Sequence, residues 1–176
     1  MKMITKLSAM FLTAAAVMMI SGASMNAQEN FAGKWAFNET KSTTGQAQAQ
    51  GQGRGGFRMG ASELNVTQQG NDLTVARTRQ GREGQPTVTT EKFDLSGKQT
   101  ENQAMNNTRK STVTWSADKK VMTITTTMTM SMQGQSREMT TKEVWKLIDG
   151  GKALSIESIN NTPNGEMKTT LVYDKK

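Results

Sequence analysis

Met128-x-Met130-x-Met132 puts three thioethers on one face of an extended segment, and soft sulfur of this kind is what selects Cu(I) in some exported copper-handling proteins. The same face is continued by Met122 and Ile124. Methionine is also an adaptable apolar lining, so the pattern reads first as the wall of a cavity, and no metal centre is expected. Arg77 and Arg79 extend the face begun by Leu73 and Val75. Pointing into a barrel mouth, they would meet an anionic group of a ligand. If the alternation breaks before the turn at Gly81–Pro86, both are solvated, which is the plainer reading. Little else could do chemistry. The chain has no His and no Cys, which removes the usual general base, the thiolate nucleophile and the common soft metal ligands. Most carboxylates (Asp72, Glu83, Asp94, Asp118, Asp149, Glu166) lie in or beside turns, where their default role is to shape the backbone. Neither an enzyme nor a cofactor is expected.

The elements that would position these residues are strands. From Ser62 onward, short alternating segments are separated by turn signals at Gln69–Asp72, Gly81–Pro86, Ser96–Lys98, Ala117–Lys119, Gln133–Gln135, Asp149–Gly151 and Thr162–Gly165. The clearest alternation sets Met122, Ile124, Met128, Met130 and Met132 against Thr123, Thr125, Thr127, Thr129 and Ser131. Leu64 with Val66, Phe93 with Leu95, Val113 with Trp115, Trp145 with Leu147, Leu154 with Ile156, and Met167 with Leu171 and Tyr173 repeat it. One apolar and one polar face per strand is the mark of an antiparallel sheet with a single buried side. No helical period is present. A weak repeat of hairpins, each carrying a Thr-Thr pair shortly before an aromatic (Phe93, Trp145, Tyr173), fits an all-β, single antiparallel up-and-down barrel of about eight to ten strands, in which closure removes exposed edges.

Residues 1–27 read as a signal peptide, with Lys2 and Lys6 before the apolar stretch Leu7–Ile20 and cleavage after Ala27 or Ala23. The apolar stretch is too short for a permanent span, and no later one exists. The expected mature part is one domain, residues 28–176, periplasmic or secreted and not membrane-spanning. Few aromatics and no terminal aromatic residue argue against an outer-membrane barrel. Residues 40–61, rich in Gln, Gly and Ala, read as a flexible loop, with a lid over the mouth as the second reading. Gly53-Arg54-Gly55-Gly56-Phe57-Arg58 within it has the look of a nucleic-acid segment, but a single copy on an exported, moderately basic chain does not imply one.

The opening Phe31-Ala32-Gly33-Lys34-Trp35 resembles the Gly-x-Trp first strand of lipocalin-like proteins. The closing Leu171-Val172-Tyr173-Asp174-Lys175 looks like the last strand of fatty-acid-binding proteins, which ends Arg-x-Tyr-Glu-Lys. With Asn38, Lys41 and Ser42 after the Trp, the chain is similar to secreted lipocalin-like proteins of Gram-negative bacteria over nearly the whole mature part, a family with no activity to transfer. The resemblance implies a barrel in which Gly33 and Trp35 plug one end. It does not imply a clamped fatty-acid carboxylate, because Leu171 stands where the Arg of the closing motif would be, leaving only Tyr173. Nor does the final strand offer a counterpart of the lipocalin Arg that packs over the Trp. Trp115, Met128, Met130, Trp145 and Tyr173 are the candidate interior residues, with Arg77 and Arg79 as polar anchors. The expected partner is a small apolar or amphipathic molecule. The alternative is an envelope or surface module that uses its outer face or the Gln/Gly tract for protein contacts.

Overall fold

The computed structural model describes residues 27–43, 60–81, 84–104, 107–132, 135–162 and 165–176. Residues 1–26, where a signal peptide is expected, and residues 44–59, with the Arg-Gly-Gly segment, lie outside the described residues. Ten strands follow in chain order: β1 (Gly33–Thr43), β2 (Glu63–Gln69), β3 (Asp72–Gln80), β4 (Pro86–Asp94), β5 (Thr100–Ala104), β6 (Asn107–Trp115), β7 (Val121–Met132), β8 (Gln135–Ile148), β9 (Ala153–Thr162) and β10 (Gly165–Lys175). All pair antiparallel in the order β4-β3-β2-β1-β10-β9-β8-β7-β6-β5, an up-and-down barrel nearly closed between β4 and β5.

Alternation decides which face turns inward. On β7, Met122, Ile124 and Thr126 are buried while Thr123 and Thr125 between them are only half-buried, so the apolar face is the inner one. An outer-membrane barrel would have the reverse orientation, with its apolar band facing lipid. Turns take residues suited to left-handed backbone: Gly70 and Gly97 have φ of 56° and 91°, and the 3-10 turn Asp149–Gly151 is left-handed at all three positions.

The end of the barrel that carries Phe31 and Lys175 is solid. Phe31, ahead of β1, stacks on Trp115 at 6.0 Å and meets Trp145 edge-on at 5.9 Å. Its carbonyl accepts from the Trp35 indole at 3.0 Å, so the largest buried side chain also satisfies its one polar atom. Gly33 has φ +148°, a backbone conformation that side chains rarely adopt, so glycine answers a backbone requirement at the start of β1. Lys175 on β10 holds its ammonium 5.3 Å from the Trp35 ring centre. A cation does therefore pack over the first-strand Trp, contrary to expectation; it was overlooked because it is a lysine beside the chain end rather than an arginine.

Two further expectations are corrected. The tract taken as a loop over 40–61 is strand through Thr43, and Ala61 is buried in the core. Asn38, Lys41 and Ser42 are the reason that stretch is hard to read. Between Asn38↔Val172 and Thr43↔Thr170 the pairing skips, so β1 bulges outward. Inside the bulge the Asn38 carboxamide oxygen accepts from the Lys41 amide at 3.1 Å, and Ser42 Oγ accepts from the Val172 amide at 2.9 Å, replacing the missing rung. Lys41 then bridges Asp149 and Asp174 at the surface. Strand β5 was not anticipated at all; Thr-Glu-Asn-Gln-Ala carries no large apolar residue to mark a face.

Candidate ligand site in the barrel interior

Above the aromatic plug the inner face changes character in step on several strands. Two residues after Val75 comes Arg77, two before Phe93 is Glu91, two before Trp145 is Glu143, and four before Val113 is Arg109. Period two sends all four inward, into one layer. Arg77 Nε donates to Glu91 at 3.0 Å and its Nη2 to Glu143 at 2.7 Å, while Arg109 Nη1 donates to the other Glu91 oxygen at 2.7 Å. The Trp145 indole N–H donates to Glu143 at 3.0 Å, and the Arg77 guanidinium lies 5.7 Å from the Trp145 ring centre. Two cations and two anions so link β3, β4, β6 and β8 across the barrel.

Burial works against the Arg77 charge, but Glu143 and Glu91 outweigh it and hold its pKa above the ordinary arginine value. Burial likewise pushes Glu143 up, yet Arg77 and the Trp145 hydrogen bond keep it below the usual carboxylate range. Tyr173, buried beside this layer, is pushed up to about 12, chiefly by desolvation. Glu143 therefore stays ionised and Tyr173 stays protonated across neutral pH, the opposite of a poised acid and base.

Among the described residues, two buried polar groups of this layer have no acceptor to donate to: Arg109 Nε and the Tyr173 hydroxyl, whose oxygen is approached by the Ala61 backbone amide. Unpaired buried donors are rare in folded proteins because each carries a desolvation penalty. Gly60 and Ala61 pass close over Tyr173. A Cβ on Gly60 would come within 3.2 Å of the hydroxyl and 2.8 Å of Leu171, so the backbone approaches as only glycine allows. Between Val113 and Arg109 the buried Ser111 is hydrogen-bonded to Thr126 at 2.9 Å, while beyond Glu143 Thr141 donates to Asn160 at 2.7 Å and the half-buried Met128 pairs across strands with Arg109.

The seam between β4 and β5 is closed by side chains. The Asn102 carboxamide accepts from the Lys92 amide at 2.8 Å and donates to the Lys92 carbonyl at 2.9 Å, imitating a backbone rung. Nearer the plug, Trp115 Nε1 donates to the Leu95 carbonyl at 3.2 Å.

The sequence-proposed residues separate accordingly. Arg77, Trp145 and Tyr173 meet in or beside the charged layer, and Met128 is the cross-strand partner of its Arg109. Arg77 is inward and ion-paired, so the reading that left it in solvent is corrected, whereas Arg79 is exposed near the mouth. Trp115 belongs to the plug and the seam. The side chains of Met130 and Met132 lie outside the described residues. Glu91, Arg109 and Glu143 were missed, although each is in phase with an apolar residue two or four positions away; charge had been equated with the outer face, and carboxylates with turns.

No protein-family model and no curated protein matches the sequence. Among solved structures, the chain is similar to zebrafish ileal bile acid-binding protein, crystallised with cholic acid: TM-score 0.51, 15% identity, covering 83% of this chain and 98% of that one. The barrel is of the calycin type. At that identity the likeness is one of fold alone, and it agrees with the antiparallel up-and-down barrel expected from the alternation.

Proposed function

We propose that this is an exported carrier that takes a small amphipathic molecule into the mouth half of its barrel, with the ligand's polar group against the charged layer and its apolar part along Met128 and Leu171. The observation that carries this reading is the pair of buried donors without an acceptor, Arg109 Nε and Tyr173 Oη, set in a layer of ion-paired side chains. A bound acceptor would remove both penalties at once. Support also comes from the similar barrel fold of a protein crystallised with cholic acid. The leader-like residues 1–27 motivate the export part. Binding without catalysis fits a layer whose Glu143 and Tyr173 are locked in single protonation states.

Native mass spectrometry of the protein purified from its own host tests the reading. A reproducible adduct of small-molecule mass, lost in the Arg109→Leu/Tyr173→Phe double variant, is expected. Protein that is consistently empty would contradict it.

A further inference from the structure

We infer that the site selects a ligand whose polar group is an uncharged hydrogen-bond acceptor, such as an ester, amide, ketone or hydroxyl, and discriminates against a carboxylate; this rests on the carrier reading above. The argument is one of charge balance. Each inward arginine of the layer is already matched: Arg77 by Glu91 and Glu143, Arg109 by Glu91. Two positive and two negative groups cancel, so the layer offers an incoming anion no net attraction, and it would sit beside two carboxylates. Burying an anion without its own counter-charge is strongly unfavourable. Arg79 carries the next cation on that strand face, but it is exposed, where water screens it.

The two vacant atoms nevertheless ask for an acceptor. Arg109 Nε–H can only donate, and a Tyr173 hydroxyl held protonated donates as well. A neutral carbonyl or hydroxyl oxygen satisfies them without bringing a charge out of water. Leu171 on the closing strand strengthens the case, since an apolar side chain is buried there and supplies no further cation.

Isothermal titration of the purified protein with two probes of equal tail length, sodium laurate and 1-monolauroylglycerol, both below their micellar concentrations, decides the matter. The neutral ester is expected to bind more tightly by about tenfold or more. Glu143→Gln and Glu91→Gln each leave the layer with a net positive charge and should narrow or reverse that preference by raising laurate affinity; a thermal melt establishes that each variant is folded. The wild-type comparison stands without either variant. Laurate binding as tightly as the ester, or more tightly, would overturn the inference while leaving the carrier reading intact. Binding of neither probe would overturn it too, and the carrier reading would then rest on the co-purifying ligand alone.

Discussion

Below the level of Arg77 the barrel of ten strands is an aromatic and aliphatic solid. Above it, the same strands with the same alternation present ion pairs, hydroxyls and two unpaired donors to the interior. Strand β7 runs through both halves, from Met122, fully buried in the plug, to Met128, half-buried near the mouth. Secondary structure is thus common to both, and the difference lies in what the inward positions carry. Stability is concentrated where those positions are apolar. The proposed binding region is where they are polar and not fully satisfied, in keeping with the trade between the two that functional sites show.

Breaking the plug should have the largest effect. Trp35→Ala removes the largest buried side chain and leaves the Phe31 carbonyl without its donor; a loss of about 3–5 kcal/mol is expected in urea unfolding. Breaking the charged layer comes next. Arg77→Met leaves Glu143 without its ion-pair partner and Glu91 with Arg109 alone, and should destabilise by about 3 kcal/mol at neutral pH. Its pH dependence is more telling than its size. In the wild type, Glu143 has a folded pKa below its ordinary 4.5, so its contribution is present above that value and fades as pH falls through the folded pKa. Without Arg77, only the Trp145 hydrogen bond and the Arg109 charge oppose desolvation, so the Glu143 pKa rises, and acidification from pH 7 to 5 should stabilise the variant relative to the wild type. Equal slopes in thermal melts across that range would show that the pairing is not what holds the layer together.

Smaller changes sharpen the picture at the seam and the surface. Asn102→Ala deletes the side-chain rung between β5 and β4; a loss of about 1 kcal/mol is expected, with faster hydrogen exchange at the Lys92 amide and little change at Glu91, whose backbone pairs with Val75. Lys41→Ala removes two ion pairs between exposed groups, and no measurable shift in the thermal midpoint is expected.

Most of the barrel could be read from period two, because from Leu64 onward each strand except β5 pairs apolar residues two or four positions apart. Strand β5 was illegible since its role is to close the seam with Asn102 rather than to bury a face. The end of β1 was illegible for a related reason: its bulge interrupts the alternation, and side chains of Asn38 and Ser42 replace the lost rungs. The charged layer is a different case. Arg77, Glu91, Arg109 and Glu143 are all in phase with the core, but a single sequence does not say that charges on different strands will meet; only the register across β3, β4, β6 and β8 pairs them. Arg77 alone was weighed as an inward cation, and its partners went unseen.

Methyl-labelled methionine NMR tests the division into halves most directly. With 1-monolauroylglycerol as titrant, the Met128 methyl resonance should shift to saturation while that of Met122, six residues away on the same strand, stays in place. Shifts of equal size at both, or a shift at Met122 alone, would show that the ligand enters the plug and would contradict the account.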